Sequence, residues 1–188
     1  MNLNSRHADC HAWRPFARHL LVLLIVLAMG ATSAMAGKFA TKQEEERRGE
    51  ADSQHALVYL VRTGFAGSAI YFWTFVDEEF FGILRGRSYT YGLIPAGDHL
   101  LWCKAENIAA LSLHLEAGKT YYLREKVMMG IGKARVKLEL IDEAEGLKAL
   151  TKARKYSTPT EEGRSRALWM AEKYIARARK KVKDAVKE

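Results

Sequence analysis

The sequence predicts an all-β fold, a small antiparallel β-sandwich of about eight strands with an Ig-like or prealbumin-like arrangement, followed by a C-terminal α-helix. Strand-length runs of β-branched and aromatic residues recur between residues 56 and 141, and turn residues separate them. After Gly163 there is no further Pro or Gly, and apolar residues recur every three or four positions, which predicts the helix. We divide the chain into a signal peptide, a polar linker, the sandwich domain and a basic helical tail, at residues 1–36, 37–55, 56–150 and 151–188.

The N-terminal segment has the three parts of a secretory signal peptide. Three arginines against one acid give it a positive start, and residues 20–31 are uncharged and apolar. The small-x-small site Ala34-Met35-Ala36 follows, and the apolar run is shorter than the roughly 20 residues that span a bilayer. We predict cleavage between Ala36 and Gly37 and export to the periplasm or the extracellular space. The alternative is an uncleaved N-terminal membrane anchor.

Cysteine usage extends this prediction. A bacterial lipoprotein needs a cysteine just after the apolar run, where this chain has Gly37, so we predict no lipid anchor and no transmembrane segment after cleavage. Cleavage removes Cys10 and leaves Cys103 alone, so the mature chain has no internal disulfide and relies on its apolar core. We interpret Cys103 as a buried apolar residue, and the alternatives are pairing between chains or a reactive thiol.

The first half of the domain follows a polar lead. Residues 38–54 include the charge run 44–48 and are interpreted as a linker or a frayed helix. Strand-length runs then alternate with turns containing Gly, Pro or acidic residues, the punctuation that a helix does not tolerate. The runs are 56–63, 69–76, 80–84, 88–94 and 98–105.

The second half alternates more regularly. Leu111, Leu113 and Leu115 share one face of a strand, and Ser112 and His114 share the other. A strand at 120–128 follows, and after Gly130 and Gly132 the apolar positions again alternate with charged ones up to residue 140. This pattern is typical of a sheet with one buried and one solvated face.

Three stretches resemble a known family when they are taken in order. They are Ile94-Pro95-Ala96-Gly97-Asp98-His99, Leu115-Glu116-Ala117-Gly118-Lys119-Thr120-Tyr121-Tyr122 and Leu138-Glu139-Leu140-Ile141-Asp142-Glu143. On these motifs residues 56–150 resemble domain of unknown function 2846, a family of uncharacterised bacterial secreted and lipoprotein domains. The chain departs from the family's usual Asp-Gly hairpin at Asp77-Glu78-Glu79. The resemblance implies a small β-sandwich in the cell envelope and assigns no catalytic residue.

No motif in the sequence indicates catalysis. The chain after residue 36 has His55, His99, His114 and one cysteine, without metal-ligand spacing. It has no Gly-x-Ser-x-Gly elbow, phosphate-binding Gly loop or His-Glu-x-x-His. His114 is interpreted as a surface histidine, and His99 as a residue that bonds backbone groups at its turn. We therefore predict a noncatalytic protein with no metal and no cofactor, although a spatial Ser/His/Asp triad leaves no local signature.

An aromatic strand is the candidate ligand surface. Tyr71, Trp73 and Phe75 alternate with residues that are also mostly apolar, so both faces of the strand are apolar. One face enters the core, and the other is either covered by the lead or the tail or left open to stack on sugars or to take a peptide.

The basic tail is the candidate partner surface. Net charge is +2 over residues 1–36 (3 − 1), −1 over 37–150 (15 − 16) and +7 over 151–188 (12 − 5). A neutral body and predicted export argue against nucleic acid as the partner. We predict that the tail contacts an envelope protein or an anionic surface such as lipid headgroups or wall polymer. The candidate contact residues are Arg177, Arg179, Lys180, Lys181 and Lys183.

The tail helix has local start and seam signals. Thr160 is a candidate N-cap ahead of Glu161 and Glu162, and Ser165 is the alternative start. A narrow apolar seam runs along the helix, and a helix that packs on its own sheet or lies in solvent is the alternative to one that binds a partner. The predicted seam is Leu168, Ala171, Ile175, Ala178, Val182 and Ala185.

Overall fold

The β-branched and aromatic runs form strands in a computed structural model that describes residues 37–43, 49–130 and 133–185. The predicted signal peptide, including Ala36 of the predicted cleavage site, lies outside these residues, and Gly37 is the first residue described. The chain in this part is mostly β and ends in a long helix. The strands are β1 (Ala40–Gln43), β2 (His55–Arg62), β3 (Phe72–Val76), β4 (Glu79–Leu84), β5 (Ser88–Pro95), β6 (Gly97–Lys104), β7 (Ile108–Leu115), β8 (Thr120–Gly130), β9 (Lys133–Ile141) and β10 (Lys155–Pro159). The helices are α1 (Glu143–Ala153) and α2 (Glu161–Ala185).

The strands form two sheets. The six-stranded sheet has the order β1-β10-β5-β2-β8-β9, and the four-stranded sheet has the order β4-β3-β6-β7. Two pairings, β2 with β8 and β10 with β5, are parallel, so the prediction of a purely antiparallel fold is wrong for this part of the chain. Alternation along a strand reports which faces are buried and does not report the direction of the neighbouring strand.

Two strands in the described residues were not predicted. β1 lies inside the stretch interpreted as a linker, and β10 lies inside the stretch interpreted as a helical tail. They pair with each other from Ala40 opposite Pro159 to Gln43 opposite Tyr156, which adds an edge to the six-stranded sheet. Both are short and largely polar, so neither has the apolar alternation by which the other strands were recognised.

The core between the two sheets takes one face of each. Ala56, Val58 and Leu60 of β2 and Phe72 and Val76 of β3 are buried there together. The outer face of the six-stranded sheet is covered by α1, which joins Ala149 and Ala153 to the cluster of Leu57, Tyr59 and Val61. β2 is therefore buried on both faces, and this explains its continuous apolar run.

The outer face of the four-stranded sheet is covered by α2. Thr160 caps the helix, since its hydroxyl oxygen accepts a hydrogen bond from the backbone N–H of Gly163 at 3.1 Å, so the predicted N-cap is confirmed. Ala167, Ala171 and Ala178 are buried against the sheet. No helix among the described residues has the length and apolar character needed to cross a bilayer.

Gly163 is expected to tolerate no side chain. A Cβ at this position would lie 2.2 Å from the carbonyl oxygen of Phe39, which is backbone and cannot swing away. We expect Gly163→Ala to lower the free energy of unfolding by about 1–3 kcal/mol, because the start of α2 must shift away from β1. Urea denaturation of the purified chain measures this.

Gly64 supplies the control, because a Cβ there meets no atom within 4 Å. We expect Gly64→Ala to change the free energy of unfolding by no more than about 0.5 kcal/mol. Equal stability of the two variants would contradict the close packing of α2 on the chain before β1.

Candidate functional site

The predicted aromatic ligand surface is mostly covered. Trp73 is 5% exposed and Phe75 is fully buried, while Tyr71, just before β3, is half-buried. The ring of Phe75 stacks on Trp102 with centroids 4.1 Å apart, and α2 lies over both. Trp73 and Phe75 therefore do not form an open stripe. The alternative weighed from the sequence, coverage by the tail helix, is what the structure has.

Small residues explain why α2 lies so close to the sheet. Alanine at positions 167, 171 and 178 allows the helix to approach the aromatic side chains of β3 and β6. Leu168, predicted to lie in the buried seam, is 70% exposed, so that part of the seam prediction is wrong. The helix turns Ala167 toward the sheet in its place, because a leucine at that position would hold the helix farther away.

A groove remains beside the start of α2. It has a volume of about 670 Å³ and lies between the chain before β1, the start of β3 and the first turns of α2. Tyr71 and Trp73 line it together with Phe39, and the ring of Phe39 contacts both of them at centroid distances of 5.2 and 5.1 Å. Trp169 of α2 lines the groove as well, so two of the three predicted aromatic residues still border open space.

The predicted basic residues all lie on the solvent side of α2. Arg177, Arg179, Lys180, Lys181 and Lys183 are exposed. Arg179 pairs with Glu78 at the β3–β4 turn, and Lys180 lies 3.9 Å from Asp184 on the same helix. The described structure therefore brings these side chains to one surface and leaves most of their charge facing water.

An aromatic residue lies on the same surface and was not singled out from the sequence. Trp169 is 40% exposed, and its ring lies between the guanidinium of Arg166 at 4.1 Å and the ammonium of Lys173 at 4.4 Å. Cations three residues before and four residues after a tryptophan share its helix face, so the spacing could have identified this cluster. Leu168 adds exposed apolar area beside it.

The described histidines each pair with an aspartate. His99 Nδ1 lies 2.7 Å from Asp77 Oδ2, and its Nε2 lies 2.9 Å from the carbonyl oxygen of Pro95. Both ring nitrogens therefore lie within hydrogen-bond distance of oxygen atoms of Asp77 and Pro95, which hold the imidazole in place. This confirms the interpretation of His99 as a residue that bonds the backbone at its turn. His114 pairs with Asp98 at the surface, as predicted for a solvated histidine.

The cavity beside His99 has a volume of about 370 Å³, and none of its lining residues is Ser, Thr or Cys. No group of three or more His, Cys, Asp or Glu side chains that could hold a metal ion occurs among the described residues.

The most perturbed titratable groups are enclosed between the sheets. Glu125 accepts a hydrogen bond from the Thr74 hydroxyl at 2.7 Å, and burial raises the pKa of its carboxyl to about 8. Cys103 lies beside it, and burial, followed by the Glu125 carboxyl, raises the pKa of the thiol well above its usual value. Cys103 is free and fully buried, which confirms its interpretation as a buried residue, and a protonated buried thiol is inert.

Arg62 lies in the same interior and is also fully buried. Its guanidinium donates to the carbonyl oxygens of Ile70 at 2.8 Å and Gly67 at 2.7 Å, and it lies 3.9 Å from the centre of the Phe72 ring. Burial lowers the pKa of this guanidinium, and the Glu125 carboxyl opposes that shift. These hydrogen bonds hold the loop after β2 in place. Arg62 lines neither the groove at the start of α2 nor the cavity beside His99.

Comparison with known proteins adds a distant relative. An uncharacterised protein of Haemophilus influenzae is 28% identical to this chain over 139 residues, a match that covers 73% of this chain and 82% of the relative. No family model matches the chain. Any statement about function therefore depends on the arrangement of the side chains.

Proposed function

We propose that this protein is a noncatalytic, exported interaction module of the cell envelope that binds an anionic surface through α2. Anionic lipid headgroups are the surface that suits its side chains best. The observation that carries the proposal is the division of α2 into two faces. Its alanines pack on the four-stranded sheet, and its basic side chains and Trp169 are exposed.

The outward face combines charge with an amphipathic anchor. From Lys173 to Lys183 the helix has six basic residues and no acidic one. Trp169 lies one turn before this stretch, and a half-exposed tryptophan flanked by cations suits the boundary between headgroups and water. The alanines that face the sheet are occupied, so the helix binds as a fixed charged surface and does not insert.

The proposal needs point substitutions because the tail is part of the fold. Removing residues 157–188 would take away most of β10, which pairs with β1, and the helix that covers Trp73 and Phe75. Such a truncation would expose apolar surface and bind surfaces for that reason alone.

Three charges on the outward face are expected to carry the binding. We expect Lys173→Gln, Arg177→Gln and Lys180→Gln together to weaken partitioning onto vesicles of phosphatidylglycerol and phosphatidylcholine by about 100-fold, since each basic residue near the surface contributes about 1 kcal/mol. Co-sedimentation at low salt measures this, and binding of the native protein should weaken as salt is added.

A matched control removes the same charge elsewhere. Lys126, Arg135 and Lys137 are exposed on β8 and β9, and replacing all three with Gln should weaken partitioning by less than about threefold. If the two triple variants lost vesicle affinity equally, net charge alone would explain the binding and the proposal would be wrong. The same measurement with purified wall sacculi in place of vesicles distinguishes lipid headgroups from wall polymer as the anionic surface.

The noncatalytic part of the proposal is supported by the histidine geometry. Both ring nitrogens of His99 contact oxygen atoms of Asp77 and Pro95, and the residues that line the cavity beside it include no Ser, Thr or Cys. The two sheets also suit a small sandwich of the kind implied by domain of unknown function 2846, and we propose that residues 56–150 belong to that type.

The groove at the start of α2 favours a second candidate, a module that binds carbohydrate or peptide. Tyr71, Trp73 and Trp169 line it and offer aromatic faces for stacking. Binding to sacculi that survives the triple substitution on α2 but is lost in Trp169→Ala would favour this candidate over the anionic surface.

A further inference from the structure

A second concentration of positive charge lies away from α2, in a cavity that we call the basic pocket. Its defining residues are Lys42 at the end of β1, Phe65 in the loop after β2, Arg85 and Arg87 at the β4–β5 turn, and Arg154 and Lys155 between α1 and β10. Its volume is about 530 Å³. Three separate segments of the chain therefore bring cationic side chains to one place, and a fourth adds Phe65.

Positive charge is concentrated among the residues that line the basic pocket. Five of its lining side chains are cationic, and no described carboxylate is among them. Arg85, Arg87 and Arg154 form no ion pair with any described residue. Burial, followed by the charges of Arg85, Arg62 and Lys155, lowers the pKa of Lys42 to about 8. Like charges held this close destabilise one another, and an anion would relieve the repulsion.

The backbone of two of these arginines points to a function. Arg87 has φ 57° and Arg154 has φ 66°, the left-handed region that favours glycine or asparagine. Arg154 is the residue just after α1, where glycine is the common choice. Both positions hold arginine at a conformational cost, and both side chains border the same cavity, so the cost is explained if the guanidinium groups are needed there.

The remaining wall of the basic pocket is held rigidly. The guanidinium of Arg62 donates to carbonyl oxygens at both ends of the segment from Gly67 to Ile70, which forms part of this wall. Phe65 is 69% exposed in the same loop, and the Arg87 guanidinium lies 5.6 Å from the centre of its ring. The pocket thus offers an apolar surface beside its cations and exceeds the size of a single inorganic ion.

We propose that the basic pocket binds an anion that carries phosphate groups with at least two negative charges, either a small soluble phosphate compound or a phospholipid headgroup. The arginine fork matches phosphate oxygens in pairs, which favours this chemistry. The pocket shares no residue with the outward face of α2, so substitutions can test this site and the α2 surface independently.

Calorimetric titration of the native protein with inorganic pyrophosphate tests the site. The pocket variant is Arg87→Asn with Arg154→Asn, because asparagine tolerates a positive φ and removes both guanidinium groups. We expect its affinity for pyrophosphate to fall at least about 10-fold. The matched control, Arg135→Gln with Lys137→Gln, removes the same charge from β9, outside both proposed sites, and should bind within about twofold of the native protein.

Stability provides a readout that a merely structural role would not give. We expect the pocket variant to be at least as resistant to urea as the native protein, since it relieves charge repulsion and backbone strain while losing the ligand. Loss of binding together with loss of fold stability would count against the site, because it would make these arginines structural.

A vesicle arm separates the two sources of phosphate. If the pocket variant loses pyrophosphate binding and keeps the native affinity for phosphatidylglycerol vesicles, the ligand is a soluble phosphate compound. If the native protein ignores pyrophosphate while the pocket variant alone loses vesicle affinity, it is a lipid headgroup. If both affinities are the same in the native protein and the pocket variant, the proposal is wrong.

Chemical labelling of Lys42 gives an independent test on the native protein. An amine with a pKa of about 8 is about one-tenth unprotonated at pH 7, far more than an ordinary lysine, and so reacts faster with an acylating reagent. Pyrophosphate in the pocket would hold the ammonium form and cover it, so labelling of Lys42 should slow several-fold relative to the exposed Lys148 on α1. Equal slowing at both lysines would overturn the site, and so would slowing at neither in a protein that calorimetry shows to bind pyrophosphate.

Discussion

Replacing Arg62 with methionine is expected to lower the free energy of unfolding by about 3 kcal/mol or more. The substitution removes the donor that lies 2.8 Å from the half-buried carbonyl oxygen of Ile70, and it leaves the carbonyl oxygen of Gly67 with only the backbone N–H of Ile70. The ring of Phe72 also loses the guanidinium stacked on it at 3.9 Å. Urea denaturation measures the loss, and apolar volume is kept so that a cavity is not its cause.

Two further variants show whether the lost stability comes from the hydrogen bonds of Arg62 to the loop. Arg62→Lys keeps the charge but cannot reach both ends of the loop with one ammonium, so it should recover only part of the loss. Arg135→Met removes an exposed arginine from β9 and should change stability by no more than about 0.5 kcal/mol. If Arg62→Met were as stable as Arg135→Met, the bonds to the loop would contribute nothing net.

The stability of the fold is expected to fall as the pH rises, on account of Glu125. Burial raises the pKa of this carboxyl to about 8, against a usual value near 4.5, so the folded protein holds a proton that the unfolded chain releases. Stability from this group is therefore complete below about pH 4.5 and declines as the pH rises to about 8, by a total on the order of 3–5 kcal/mol. Glu125→Gln should abolish that decline.

Denaturant unfolding at several pH values between 5 and 8.5 measures this effect as a difference between variants. Native protein and Glu125→Gln should be closest in stability at the acid end, and the variant should be the more stable one at the alkaline end. Glu106→Gln, which changes an exposed carboxyl, should keep the native slope. An unchanged slope in Glu125→Gln would mean that the buried carboxyl does not hold its proton.

Strand runs and caps were readable from sequence because they are local. The run at 56–63 corresponds to β2 (His55–Arg62), and Thr160 caps α2 as its hydroxyl and the following acids predicted. The parallel pairing of β2 with β8 depends on strands more than 50 residues apart, and nothing in either run specifies it. β1 and β10 could not be predicted, because a strand of four or five mostly polar residues has too little periodicity to be recognised.

The candidate surfaces divide in the same way. The basic residues of α2 follow one another closely in sequence and were predicted, although the register that buries Ala167 and exposes Leu168 depends on the sheet below. The basic pocket was not predicted, because its cations come from three segments that lie far apart in sequence and have no common spacing. Arg62 resembles a solvated strand end in sequence, and only the packing of the loop after β2 shows that it is fully enclosed.

The pairing of β1 with β10 also affects the timing of folding. Thr41 and Thr158 lie next to each other in the sheet but 117 residues apart in the chain. Whether the chain leaves a ribosome or a membrane pore, β1 emerges long before its partner β10. β5 likewise emerges before β10, with which it also pairs. The six-stranded sheet can therefore form completely only after β10 has emerged. Pairing between strands so far apart in sequence slows folding. Until it is complete, the edges of the strands that have already emerged remain unpaired.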